Sequence, residues 1–169
     1  QFDGDISCWD VSRVTNMAEM FAHSWFTGDI SDWNTKRVTI MKGMFADNDY
    51  FDGDISKWDV AKVESMWRMF ENNTGFNGDI SAWKPNSVKD AGRMFQCSIF
   101  EHDISHWPLP PDVFTNAMFK DNQKGLRLQS RLAPWVIRLF IQESMDFKDP
   151  RGKRPWMVTA GSKPALGWT

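Results

Sequence analysis

A chain of 169 residues has the length of one domain, or of one repeat array with a terminal extension. Its 41% hydrophobic and 25% charged residues are ordinary for a globular protein, but ten Trp, thirteen Phe and ten Met stand against a single Tyr. The longest apolar run, residues 135–141, is short and broken by Arg138, which excludes a transmembrane helix there.

The aromatic bias comes from a repeat. Gly-Asp-Ile-Ser-x-Trp occurs intact at residues 4–9, 28–33, 53–58 and 78–83, and a fifth copy at 102–107 carries His102 in place of the glycine. The steps between Trp9, Trp33, Trp58, Trp83 and Trp107 are 24, 25, 25 and 24 residues, a fixed short period that predicts a solenoid. The chain opens on Gln1 inside a repeat, with Phe2 at its repeat position, and reads as a piece of a longer or processed product.

Each copy continues as Val-x-x-Met-x-x-Met-Phe. The positions are Val14, Met17, Met20 and Phe21, then Val38, Met41, Met44 and Phe45, then Val63, Met66, Met69 and Phe70. The fourth copy drifts to Val88, Ala91, Met94 and Phe95, and the fifth keeps Met118 and Phe119. Apolar residues at i, i+3, i+6 and i+7 share one helical face. Ser12, Thr15 and Thr35 are suitable caps. The segment around each Ile has the period of an extended strand. The expectation is a strand and a short helical turn in every rung. The strands would stack into a parallel sheet over an interior of Trp, Met and Phe. Cys8 and Cys97 would lie three rungs apart, about 14 Å at strand spacing, too far for a disulfide. Two free thiols are predicted, which leaves the redox compartment open.

These residues resemble the BspA-like repeats of bacterial and protist surface proteins, first catalogued in mycoplasma as a domain of unknown function. The resemblance covers residues 2–119, with departures at Ala91, His102 and the run Pro108-Leu109-Pro110-Pro111. It implies kinship with leucine-rich repeats, and hence an α/β solenoid used for binding and adhesion. The expected fold is therefore α/β, a leucine-rich-repeat-like solenoid of five 24–25-residue strand–helix rungs over 1–120. The resemblance also implies a cell-surface or secreted location.

Beyond the array, Leu128, Leu132, Trp135, Val136, Leu139 and Phe140 mark an amphipathic helix, expected to cap the core within 121–145. Residues 146–169 are rich in Pro, Gly and basic side chains and read as an extended tail. Charge divides along the same line: residues 1–120 hold 18 Asp+Glu and 11 Lys+Arg, giving −7, and residues 121–169 hold 4 and 9, giving +5. That asymmetry suits mutual contact or two different partners.

The sharpest candidate for function is the Asp column: Asp5, Asp29, Asp54, Asp79 and Asp103. Like charges one rung apart repel, so the carboxylates must be hydrated, splayed, cation-bound or hydrogen-bonded at the turn. One Asp per rung lacks the clustering of calcium loops. His102 and His106 flank Asp103, but no third neutral ligand completes a metal set. No phosphate loop, dinucleotide glycine pattern or HExxH motif is present, and no nucleophile–base pair can be assembled. Asn72-Asn73-Thr74 fits a glycosylation acceptor. Lys148, Arg151, Lys153 and Arg154 with Trp156 and Trp168 have the ingredients of a nucleic-acid contact. The acidic array opposes a polyanion, so these residues are better read as an arm docking on protein.

The sequence thus points to a non-enzymatic protein–protein interaction or scaffold module without cofactor or metal, and with no nucleic-acid partner and no transmembrane segment of its own. As an accessory subunit it would belong to a larger assembly, such as a membrane-bound or organellar one. The alternative is a surface adhesin for host proteins or glycans. The Asp column and the six tail residues are the expected partner contacts.

Overall fold

A computed structural model describes residues 4–122. The segments expected as capping helix (121–145) and basic tail (146–169) lie, past Asn122, outside the described residues. Counting each repeat from its leading Phe, the first ends at residue 25, and the others span 26–50, 51–75, 76–99 and 100–122.

The repeats stack through their backbones. The N–H groups of Met17, Glu19, Phe21 and His23 donate to the carbonyls of Ile40, Lys42, Met44 and Ala46 at 2.8–2.9 Å. The same four bonds recur at each later junction, for example from Met66, Arg68, Phe70 and Asn72 to Asp90, Gly92, Met94 and Gln96. Within this ladder every donor belongs to the earlier repeat and every acceptor to the later one, so the stack has a direction. At the head of each junction bonds run the other way, as from Thr39 and Ile40 N–H to Thr15 O, and parallel bridges, one per junction, join Asn16, Ile40, Ser65, Asp90 and Phe114 in succession.

This arrangement corrects the expected α/β class and the leucine-rich-repeat-like strand–helix solenoid. Among the described residues there is no α-helix, and the only sheet pairing is those isolated bridges. The Met-x-x-Met-Phe segment is a run of linked tight turns. In the second repeat Met44 N–H reaches Met41 O, Ala46 reaches Gly43, and Asn48 reaches Phe45. Two residues per repeat sit at positive φ: Glu19, Gly43, Arg68, Arg93 and Ala117 in one column, and His23, Asp47, Asn72, Cys97 and Asp121 in the other. A helix needs negative φ throughout and sends each N–H to the residue four before it. Here alternate N–H groups go to a neighbour 23 or 24 residues on, as from Met17 to Ile40 and from Met41 to Ser65. Left-handed conformation costs roughly 1–2 kcal/mol per non-glycine residue, and the four bonds of each junction offset it.

The Gly-Asp-Ile-Ser-x-Trp segment is likewise a turn, closed by Trp9 N–H on Ile6 O and by its equivalents in all five repeats. Each later indole then reaches back one repeat. Nε1–H of Trp33, Trp58, Trp83 and Trp107 donates to the carbonyls of Ile6, Ile30, Ile55 and Ile80 at 3.0–3.2 Å. Trp33 and Trp58 lie parallel, with centroids 6.5 Å apart. Beside them runs a Phe column, in which Phe45, Phe70 and Phe95 stack at 5.5 and 5.7 Å. Each of these rings also lies on the Phe that opens the next repeat, as Phe45 does on Phe51 at 4.0 Å. That second Phe explains the glycine of the motif: a Cβ on Gly53 would meet the Phe51 ring at 2.8 Å.

A small polar residue, Asn or Ser, turns each corner. Asn73, fully enclosed, donates Nδ2–H to Phe45 O and accepts the N–H groups of Gly75 and Phe76 on Oδ1. Asn48 and Asn122 hold the same place, and Ser24 and Ser98 take it in the other two repeats.

Candidate interaction surfaces

The Asp column is exposed, and every member is bonded in the same way. In each repeat the Asp carboxylate accepts the backbone N–H of the Ser two residues on, at 2.8–2.9 Å, for Asp5, Asp29, Asp54, Asp79 and Asp103 alike. That amide, followed by the Ser hydroxyl, holds the carboxyls of Asp5, Asp29, Asp79 and Asp103 below the usual range. For Asp54 the Ser56 hydroxyl contributes first and the amide second. Repulsion from Asp5 and Asp54 pushes Asp29 the other way, but by less than the hydrogen bonds hold it down. The turn therefore fixes one exposed carboxylate per repeat by the same local bond.

His102 and His106 do not close on Asp103 as a metal set. Their Nε2–H groups donate to Asn77 O at 2.7 Å and Ser81 O at 2.8 Å, so both imidazoles bind backbone of the fourth repeat. No group of three metal-binding side chains occurs among the described residues. Cys8 is exposed and Cys97 half-buried, and both are free thiols. The amide of Asn72, the expected glycosylation acceptor, donates to Asp47 at 2.9 Å. Lys148, Arg151, Lys153, Arg154, Trp156 and Trp168 lie outside the described residues.

On another face a line of charges crosses four repeats. The carboxylate of Glu71, buried, pairs with Arg68 and lies 3.8 Å from Arg93 Nη1. Arg68 is 4.0 Å from Asp47, which is 3.5 Å from His23 Nδ1. Beside this line Trp67 is flanked by Lys42 and Arg68, at 5.0 and 5.1 Å from its ring, within cation–π reach.

Large apolar side chains surface mainly in the first two repeats, with Phe114, 52% exposed, in the fifth. Trp9, Met20 and Trp25 are 57%, 42% and 65% exposed, and Tyr50, 58% exposed, lies 6.0 Å from Trp25. With Ile6, Phe21 and Phe26, the first three line a cavity of about 640 Å³.

The family described as Mycoplasma protein of unknown function, DUF285, matches residues 1–60 and 23–135. The chain belongs to this family. The two matches overlap, as expected of a sequence that repeats. No curated protein and no solved structure matches the chain. No helix among the described residues is long and apolar enough to cross a membrane.

Reading residues by type singled out the Asp column but passed over the charge line and the aromatic end. Glu71 occupies a column whose other members are Ala22, Ala46, Gln96 and Lys120, so no recurrence marks it. Trp25 and Tyr50 precede the repeat's Phe, a place taken by Gly75 and Ile99 further on. Only the Asn/Ser corner carried a signal, a small polar residue three positions past each Met-Phe pair.

Proposed function

We propose that this member of the family is a non-enzymatic protein–protein interaction module, working as an accessory subunit of a larger assembly. The observation that carries this reading is the Asp column: five exposed carboxylates, one per repeat, each oriented by the same Ser amide. A regularly spaced row of ordered negative charge suits a basic protein surface or an extended basic segment, through pairing that weakens with salt. The net charge of −7 over residues 1–120 supports it. In the same reading the basic segment 146–169 is a docking arm for a second contact.

The test is capture from native extract by the full chain, by Asp29→Asn/Asp54→Asn/Asp79→Asn, and by a chain ending at residue 145. Asn keeps the acceptor oxygen that closes each turn and removes the charge. A defined partner set should be lost or weakened at least tenfold with the triple variant, while thermal unfolding stays close to the parent's. Equal capture by all three chains sinks the reading.

A second reading, an adhesin at the cell surface, draws on the resemblance to BspA-like repeats. The exposed Trp25–Tyr50 pair favours it, because two such rings offer apolar faces with polar tips to a host protein or glycan. Loss of glycan or host-protein binding in Trp25→Ala/Tyr50→Ala, with the Asp variant unaffected, would select it.

A further inference from the structure

Asn77 ties three repeats together. Its backbone N–H donates to Asp52 Oδ1 at 3.1 Å. Its side chain closes on Glu101: Oδ1 accepts the Glu101 N–H at 3.0 Å, and Nδ2 donates to Glu101 Oε1 at 3.1 Å. Its carbonyl accepts Nε2–H of His102 at 2.7 Å. Thr27, Asp52 and Glu101 hold the same place in other repeats, so Asn77 is a neutral residue between two carboxylates of one column.

The next residue is Gly78, and this is the one Asn-Gly pair in the chain. Glycine has no side chain to hinder its own nitrogen and leaves the backbone free to turn, which opens the preceding Asn to attack. The Gly78 N–H donates to no group among the described residues. Once deprotonated, the Gly78 nitrogen bonds to Asn77 Cγ, and the Cγ–Nδ2 bond breaks to release ammonia and leave a cyclic imide. Water then opens either imide carbonyl, giving aspartate, or isoaspartate when the main chain runs on through Cγ. Both products lack the Nδ2 donor and set a carboxylate against Glu101, with Asp52 on the other side, and like charges so close repel. Isoaspartate also lengthens the main chain just before Gly78, where even a Cβ would meet the Phe76 ring at 2.9 Å.

We propose that Asn77 is a site of spontaneous deamidation, reached when the fourth and fifth repeats part and, once modified, keeping them from closing. In the closed stack both ends of the amide are bonded to Glu101, and expulsion of Nδ2 ends one of those bonds. The reaction therefore belongs to the open junction. Its consequence is a one-way loosening of the fifth repeat, whatever partner the chain binds.

The test is to age the full chain in mildly alkaline buffer, with and without denaturant. Peptide mapping follows aspartate and isoaspartate at position 77, and hydrogen exchange follows the junctions. Asn77 should react in the folded chain at least tenfold more slowly than in denaturant, and Glu101→Ala should close most of that gap. In the aged folded chain, exchange at Ala91, Arg93, Phe95 and Cys97, whose N–H groups cross to the fifth repeat, should rise at least tenfold. Met41, Gly43, Phe45 and Asp47, which cross to the third, should stay as protected as before. Asn77→Thr, the residue that the second repeat carries at this place, cannot react and should keep all its protection through the same ageing. An unreacted Asn77 in the folded chain, while the denatured chain reacts, overturns the site. Equal rates with and without denaturant overturn the gating by Glu101. Unchanged exchange in chains already deamidated overturns the loosening.

Discussion

Asn73 shows how much one small side chain holds. It sits where the chain leaves one repeat for the next, with its amide donating to Phe45 O and its carbonyl accepting two successive N–H groups. Leu at this site keeps the branched shape but supplies none of the bonds, leaving the Gly75 and Phe76 N–H groups without the acceptor that Asn73 Oδ1 provides. We expect Asn73→Leu to cost about 2–4 kcal/mol, seen as a lower denaturant midpoint with an unchanged slope. Asn73→Ser should lose less, because Ser24 and Ser98 fill the same place in other repeats. Equal losses for the two variants would show that packing, not hydrogen bonding, decides the corner.

The turn that carries each Asp is the element whose behaviour depends on pH. All five carboxyls are held below their ordinary range by Ser bonds formed in the folded chain. A lowered folded pKa gives stability that is present above the unfolded value of about 3.9, and lost as pH falls through the folded values. The unfolding temperature should therefore drop on acidification below about pH 4. Asp29→Asn/Asp54→Asn/Asp79→Asn keeps the turns without the titrating groups, so its acid limb should be flatter. Parallel limbs for parent and variant would remove the column from the acid response. The linked turns of the Met-Phe segment obey a different constraint. Each donates its alternate N–H groups outward, so no single segment forms them without a neighbouring repeat to accept.

For the molecule as a whole, that dependence makes the repeat the unit of stability. Deleting residues 51–75 joins Tyr50 to Phe76 and brings the second repeat onto the fourth in register. The shortened chain should still unfold in one transition, at a lower midpoint because one junction of backbone bonds and stacked rings is gone. Deleting residues 51–62 sets the Trp and Phe columns against the wrong partners, and that chain should not fold cooperatively. Survival of both deletions to the same degree would mean that register is not enforced by the core. The direction of the ladder is also a property of the stack, since every junction sets donors of the earlier repeat against acceptors of the later one.

Much of this was legible in the residues. The spacing of Ile, Trp, Val, Met and Phe marked the interior, and Val38, Met41, Met44, Phe45 and Trp58 are indeed buried. The Asp carboxylate was readable as a turn acceptor, because such a bond is local, but the Ile beside it was expected in a strand and lies within the turn. The backbone path was not readable. Apolar residues at i, i+3 and i+4 face inward equally well on a helix and on a run of linked turns, so periodicity cannot separate them. What separates them is the partner of each N–H, and here the partner of the alternate N–H groups lies 23 or 24 residues away, in the next repeat. Positive φ at Glu19, Arg68 and Arg93 has no compositional mark for the same reason, since stacking compensates for it rather than the residue's own preference. Side-chain chemistry along one repeat set the core; contact between repeats chose the backbone that carries it.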